Sequence, residues 1–401
     1  MKVLEINSVC GIRSTGRICT DLADVLMADG HECRVGYGRE TVPQKYQPIS
    51  IHIGSELNVR WHGLMSRIFG STGNYSRWAT RKFLREVDRY QPDIVHLHNL
   101  HGYYLHIGML FQYLKEKKIP VVWTLHDCWS FTGHCAHFAE VGCDRWQTRC
   151  KDCPQAKLYP ATWFGDRVGK NHAQKQSLTD GLEDLTIVTP SRWLADLAKQ
   201  SFLGKHRIEV IHNGIDLGAF RPTEGDFRQK HGLEDKHIVL GVASAWSRSK
   251  GLNDFIALAD RLPDDFQIVL VGLTAEQIAK MPRKIISIER TNSLQALVEL
   301  YSAADVFVNP TYADTFPTVN IEALACGTPV LTYRTGGSTE IPDETCGSVV
   351  EAGDLEGLCN EILRIARTKP YSRAACTARA AHYNKNDKFR EYVRLFEACM
   401  R

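Results

Sequence analysis

Residues 94–125 read IVHLHNLHGYYLHIGMLFQYLKEKKIPVVWTL, and this stretch decides the fold class. Two short apolar runs, Ile94-Val-His-Leu-His98 and Val121-Val-Trp-Thr-Leu125, flank a segment from His106 to Lys118 with helical patterning. Strand, crossover helix and strand make a right-handed βαβ unit, which implies a parallel sheet. The same alternation runs outward in both directions. Met1 to Ser8 reads as a strand, Ile18 to Asp29 as a helix stopped by Gly30, and Glu32 to Gly36 as the start of the next strand. Thr186–Thr189 is a further strand, followed by a helix from Ser191 to Gln200. Near Arg207 the pattern restarts. Ile208–Ile211 precedes an Asn213-Gly214 break, and strands follow at His237–Ala243, Gln267–Gly272, Val306–Pro310 and Pro329–Tyr333. The prediction is an α/β chain of two parallel-sheet halves, with domains over 1–205 and 206–384 and a closing helix over 385–401.

Length and composition agree with two domains. The chain has 401 residues, and single hydrophobic cores stop growing near roughly 250–300 residues. With 43% hydrophobic and 24% charged residues it has globular composition. Forty-nine basic against 46 acidic side chains leave +3, a balance that gives no reason to expect nucleic acid as a partner. Glu5 and Asn7 interrupt the first apolar run, unlike a signal peptide, and no stretch approaches 18 apolar residues. These features, with thirteen cysteines in an unsignalled chain, predict a cytoplasmic protein with mostly reduced thiols.

Four segments carry residues suited to chemistry. Cys10-Gly-Ile-Arg-Ser-Thr-Gly16-Arg17 is a glycine-containing turn between a strand and a helix, a place where backbone can approach an anion. Its spacing is not that of a dinucleotide fingerprint, and a plain tight turn explains it equally. Asp314-Thr-Phe316-Pro-Thr318-Val-Asn-Ile-Glu322 sets two carboxylates eight positions apart, leading into Cys326-Gly-Thr-Pro-Val and Thr335-Gly-Gly-Ser-Thr-Glu340. Ser247-Arg248-Ser-Lys250-Gly251 places two cations after a strand, where an α/β sheet binds phosphate. An N-capping role for Glu322 and a solvated loop for Lys250 are the plainer readings. Together the segments describe a nucleotide diphosphate pocket. Last, His126 ends a strand in Thr124-Leu-His-Asp127, in a region that also holds His96, His98 and His101.

The segments Tyr301-Ser-Ala-Ala-Asp-Val-Phe-Val-Asn-Pro310 through Pro329, and Val210-Ile-His-Asn-Gly-Ile-Asp216 with Phe220-Arg-Pro222, resemble retaining glycosyltransferase family 4. The resemblance implies the GT-B architecture: two facing Rossmann-like domains, a catalytic cleft between them, and a C-terminal helix returning to the first domain. It also implies transfer of a sugar from a UDP- or GDP-sugar to a saccharide or lipid-linked acceptor in surface polysaccharide synthesis, with no catalytic metal. By the same resemblance Glu322 is the ribose ligand, and Asp314 stands where the family usually has Glu. Lys250 binds the diphosphate, and Arg248 substitutes for an arginine missing near Ala245. Phe316 and Thr318 belong to the donor loop, and Gly16 faces the donor phosphate. His126 lies near the transferred sugar, with His98 and His101 lining the acceptor side. An epimerase-like enzyme of the same architecture and a non-catalytic sugar-binding relic are the rival readings. A phosphorylase would need a much longer chain.

Cys135, Cys143, Cys150 and Cys153 fall within 19 residues and end in a C-x-x-C pair. Four thiols so placed suffice for a tetrahedral structural zinc, with a disulfide, an iron–sulfur cluster or free thiols as alternatives. Similar clusters mark a subgroup resembling the colanic-acid-type transferases. Finally, Arg60, Arg67, Arg77, Arg81, Lys82, Arg85 and Arg89 are interleaved with Trp61, Leu64, Met65, Ile68, Phe69, Tyr75, Trp78 and Phe83. This pattern fits either peripheral docking on an anionic membrane or a core-facing helix with a solvated basic face.

Overall fold

The computed structural model describes residues 1–164 and 167–400. The chain divides into two compact units, 1–212 with 388–401 and 213–387.

The first unit holds seven parallel strands: β1 (Lys2–Asn7), β2 (Glu32–Tyr37), β3 (Ser50–His52), β4 (Ile94–Leu97), β5 (Val121–Thr124), β6 (Leu185–Thr189) and β7 (Arg207–Val210). Their order is β3-β2-β1-β4-β5-β6-β7, so the direction of winding reverses between β1 and β4. Apolar residues on both faces of the sheet feed two cores. Leu4, Ile6, Val95, Leu97 and Trp123 face one, and Val3, Ile94, Val122 and Val188 the other. The second of these cores is closed by Phe389, Tyr392 and Phe396 of the last helix, Lys385–Cys399.

The second unit holds β8 (His237–Val242), β9 (Phe266–Val271), β10 (Ile285–Ile288), β11 (Val306–Asn309), β12 (Val330–Tyr333) and β13 (Gly347–Val350). Their order is β10-β9-β8-β11-β12-β13, again parallel, with the reversal between β8 and β11. Ligands of open α/β sheets bind beyond the carboxyl ends of strands at such reversals. Each unit therefore has one favoured place for chemistry.

Four readings of the sequence change. The strand at 207–210 does not open the second half; it pairs with β6 as the edge of the first sheet, so that unit runs to His212 rather than 205. The polar run around Ala374 is a helix, Arg373–Ala381, capped by Ser372 Oγ and burying only Cys376 and Ala380. The first helix starts at Arg13, not Ile18, with Gly16 inside it. Strands β3, β10 and β13 are sheet-edge segments of three or four residues, too short for alternation to mark them. No helix among the described residues is long and apolar enough to cross a membrane.

Candidate functional site

In the second unit the loops after β8 and β11 are locked together by backbone. Gly251 has φ +76°, and a Cβ there would stand 2.3 Å from Pro310 O, so only glycine fits. Tyr312 N–H donates to Ser249 O at 2.8 Å. This fastening carries Lys250 to Asp314: its Nζ lies 2.6 Å from Asp314 Oδ2. Asp314 Oδ1 accepts the Phe316 N–H at 3.2 Å. From the other side Gly336 (φ +52°) closes over the Asp314 carbonyl, where a Cβ would sit 1.8 Å from the oxygen, and Gly337 N–H donates to that carbonyl at 3.2 Å.

The helix Thr318–Ala325 begins at Pro317 with no side chain capping it. Its first-turn N–H groups, at the positive end of the helix dipole, suit an anion. A buried polar knot fixes where the helix starts: Asn309 Nδ2 donates to Asn320 Oδ1 at 2.8 Å, and Asn320 Nδ2 to Ser338 Oγ at 3.1 Å. Ser338 in turn meets Thr332 Oγ1 at 2.6 Å. Thr318 is the first residue of this helix, half-buried at the site.

Three donor-side residues take these places in the structure. Phe316 is buried against Tyr383, with ring centroids 5.7 Å apart, so its side chain belongs to the core and only its backbone is offered to the site. Glu322 is the fifth residue of its helix, not its cap, and its Oε2 accepts the hydroxyl of the fully buried Tyr301 at 3.0 Å. Glu322→Ala would strand that hydroxyl, so it perturbs the fold as well as the site. Arg248 is exposed on the one-turn helix Arg248–Lys250.

In the first unit Gly16 has an ordinary helical role. A Cβ on it would press on Val9 Cγ2 at 3.0 Å, and its carbonyl accepts the Gly11 N–H at 2.9 Å. Its smallness lets the turn after β1 lie on the helix.

Within β4 and just beyond the ends of β4 and β5 the histidines form a connected set. His98 Nδ1 lies 2.9 Å from His126 Nε2, and His98 Nε2 lies 2.6 Å from Glu5 Oε2. Glu5 Oε1 is 3.0 Å from His96 Nδ1, and His96 Nε2 is 2.8 Å from Thr124 Oγ1. Burial would raise the Glu5 pKa, but the two imidazoles hold it down at about 2. Burial lowers His98 to about 4, with His96 adding to the effect, and moves His126 well below its usual range. His98 is fully buried, which corrects the expectation that it lines the acceptor side. His101 is partly accessible, its Nε2 2.8 Å from Asp127 Oδ2. Sequence reasoning noted Glu5 and His96 but gave them no role, because a polar residue inside a strand carries no motif.

None of the thirteen cysteines is in a disulfide. Cys135 and Cys150 are buried, Cys143 and Cys153 half-buried, and all four join one core. A hydrogen bond to Cys153 and burial together push the Cys135 thiol far up. Gly133 N–H donates to Cys150 Sγ at 3.2 Å. The buried Lys175 ammonium ties this loop down, donating to Trp129 O at 2.5 Å and Thr132 O at 2.9 Å. Among the described residues, the three-residue set with ligand atoms within 4.8 Å of one another is Glu5, His96 and His98, not the cysteines.

The basic-apolar segment forms two helices, Glu56–Phe69 and Arg77–Tyr90. Phe83 and Val87 face the core as a plain amphipathic helix requires. The first helix behaves otherwise. Leu57 (76% exposed), Trp61 (56%) and Leu64 (40%) form a solvent-facing stripe at i, i+4 and i+7. Trp163 N–H donates to Arg67 O at 2.7 Å, which seats exposed Trp163 and Phe164 beside it.

Comparison with known proteins agrees with this geometry. Residues 15–219 match Glycosyltransferase Family 4, and residues 236–368 match Glycosyl transferases group 1. WcaC of Escherichia coli K12, named as a colanic acid biosynthesis glycosyl transferase, is 24% identical over 99% of this chain and 100% of its own. A D-inositol 3-phosphate glycosyltransferase of Mycobacterium sp. strain JLS is 28% identical over 44% of each chain. Among solved structures, sucrose-phosphate synthase of Thermosynechococcus elongatus superimposes with a TM-score of 0.72 at 17% identity, over 99% of this chain and 98% of that one. HepE of Anabaena in complex with UDP-glucose gives 0.68 at 15% identity, over 99% and 100%. Both units are Rossmann-like, their solved neighbours are GT-B glycosyltransferases, and the chain belongs to glycosyltransferase family 4.

Proposed function

We propose that the protein transfers a hexosyl residue from a UDP- or GDP-sugar to a saccharide or lipid-linked saccharide, with retention of anomeric configuration, in the assembly of a surface polysaccharide. The observation that carries this reading is the Lys250–Asp314 pair at the β8/β11 reversal, beside an uncapped helix start. A cation and a row of amides suit a diphosphate. The UDP and UDP-glucose bound by HepE support the donor class, and the full-length alignment with WcaC supports the polysaccharide setting.

In this reading Lys250, Arg248 and the helix amides stabilise the charge that grows on the diphosphate as the bond from the sugar's anomeric carbon breaks. The acceptor hydroxyl forms the new bond on the same face and gives its proton to the leaving diphosphate. Asp314 aims Lys250 and meets the donor sugar, and Glu322 takes the ribose hydroxyls. No carboxylate acts as nucleophile and no divalent ion is required. A panel of UDP- and GDP-sugars tests this by thermal shift, product analysis and anomer assignment. An inverted product overturns retention. Binding without transfer or hydrolysis leaves a sugar-binding protein, and a donor whose sugar is only isomerised makes the chain an epimerase.

Two further parts of the reading concern the first unit. Cys135, Cys143, Cys150 and Cys153 would hold one structural zinc, which would rigidify the loop. The Leu57–Trp61–Leu64 stripe, flanked by Arg60 and Arg67, lies on an anionic membrane surface where a lipid-linked acceptor resides. Co-sedimentation with phosphatidylglycerol vesicles should be lost on Trp61→Ser and weaken at high salt; absence of binding at low salt rules the docking out.

A further inference from the structure

Glu5 sits in β1 opposite His96 of β4, and both side chains are fully buried. A buried carboxylate is costly unless its oxygens are matched by donors. Here each oxygen has its own: His96 Nδ1 at 3.0 Å and His98 Nε2 at 2.6 Å. His96 and His98 are two apart in sequence, so alternation along the strand brings them to the same side of the sheet. The His98 backbone is fixed as well, its N–H donating to Ile6 O at 2.9 Å and its carbonyl accepting Trp123 Nε1–H at 3.0 Å.

The tautomers follow in sequence. An ionised carboxylate only accepts, so His98 must carry its proton on Nε2. A neutral imidazole has one N–H, which leaves His98 Nδ1 as an acceptor. Its neighbour at 2.9 Å, His126 Nε2, must then donate. The ring geometry agrees. The two rings lie within 8° of parallel with centroids 5.2 Å apart. Parallel planes whose nearest nitrogens are 2.9 Å apart are closer than stacking permits, so the rings meet edge to edge, as an in-plane N–H···N bond requires. The depressed pKa values of Glu5 and His98, about 2 and about 4, keep the first ionised and the second neutral near pH 7.

We infer that Glu5 is a positioning residue that acts through His98 to hold His126 in the Nε2–H tautomer, with Nδ1 as its acceptor nitrogen. The consequence for sugar transfer rests on the transfer reading above; the tautomer does not. Removing Glu5's charge therefore changes which proton His126 carries without touching substrate.

Nitrogen-15 NMR of protein with ring-labelled histidines reads this directly, with His98→Gln and His126→Gln assigning the two resonances. Both rings are expected Nε2-protonated with an unprotonated Nδ1 in the unaltered protein. In Glu5→Gln the His126 signal should move toward the other tautomer, and kcat should fall at least about tenfold with donor KM unchanged. A protonated Nδ1 on either ring of the unaltered protein overturns the inference, and so does an unmoved His126 signal in Glu5→Gln. Should that variant fail to fold, the spectrum of the unaltered protein decides alone. An Nε2-protonated His126 in a protein that transfers no sugar would sink the transfer reading and leave the positioning role standing.

Discussion

The two units place their polar groups in opposite ways. The second builds its site from backbone turns and half-exposed side chains contributed by two short segments, Ser247–Gly251 and the loop and helix start Asp314–Glu322. The first buries most of its polar groups and draws them from Glu5, His96, His98 and the half-buried His126, spread from residue 5 to residue 126. Thirteen of the sixteen histidines and nine of the thirteen cysteines fall in the first unit. A site of turns tolerates an open, wet pocket, because backbone holds it. A site of buried side chains stands only while every donor has its acceptor.

The sharpest way to break that comparison is at Lys250. Lys250→Ala should lower kcat about 10²–10³-fold, the usual loss when one stabilising donor is removed. The 2.6 Å pairing makes a second prediction possible. Without Lys250, Asp314 becomes an uncompensated negative charge beside the diphosphate. Adding Asp314→Asn to Lys250→Ala should therefore recover part of the loss, a coupling that a double-mutant cycle measures. A double variant as poor as the product of the singles would mean the pair acts as two independent contacts.

A smaller effect is expected at the cysteines, confined to the first unit. Protein purified without added metal should contain one zinc per chain, and Cys150→Ser should lose it. The first unit's thermal midpoint should then fall by several degrees while the second unit's stays in place, since about 1 kcal/mol moves a domain of this size by roughly 2–4 °C. Iron with visible absorbance would replace zinc by a cluster. A metal-free protein with an unchanged midpoint would leave four plain thiols.

What the sequence revealed follows the same division. The α/β alternation, the two parallel sheets and the Lys250 and Asp314–Glu322 loops were legible because apolar runs and loop motifs are contiguous. The strand at 207–210 was placed in the wrong half, since an edge strand with one exposed and three half-buried residues looks the same in either sheet. Phe316 was read with its motif, whereas its ring follows the ordinary rule for an aromatic beside a helix and enters the core. The link between Glu5 and His96 was invisible for a deeper reason. Their pairing is a register between β1 and β4, strands separated by β2 and β3 along the chain, and nothing local encodes it.

The effect that separates the units most cleanly is acid sensitivity. Burial holds His98 at about 4 and His62 at about 3, against a usual 6.5. Because these folded-state values are depressed, the unfolded chain takes up protons first as pH falls. The stability tied to neutral histidine is therefore complete above pH 6.5 and is lost progressively down to pH 4 and 3. One histidine shifted like His98 costs about 2 kcal/mol between pH 7 and pH 5 by linkage. Glu5 and Asp127 also have depressed values of about 2, and their contributions, present above pH 4.5 and 3.8, fade only below that. In the second unit His231, His237 and His382 are exposed or half-exposed, and the depressed groups are the carboxylates Asp216, Asp343 and Glu361. Its stability should hold until the carboxylate range. Hydrogen exchange followed peptide by peptide at pH 7 and pH 5, corrected for intrinsic rates, should show β1, β4 and β5 losing protection while β8, β11 and β12 keep theirs. Equal losses in both sheets would mean that the buried histidines of the first unit do not govern its response to acid.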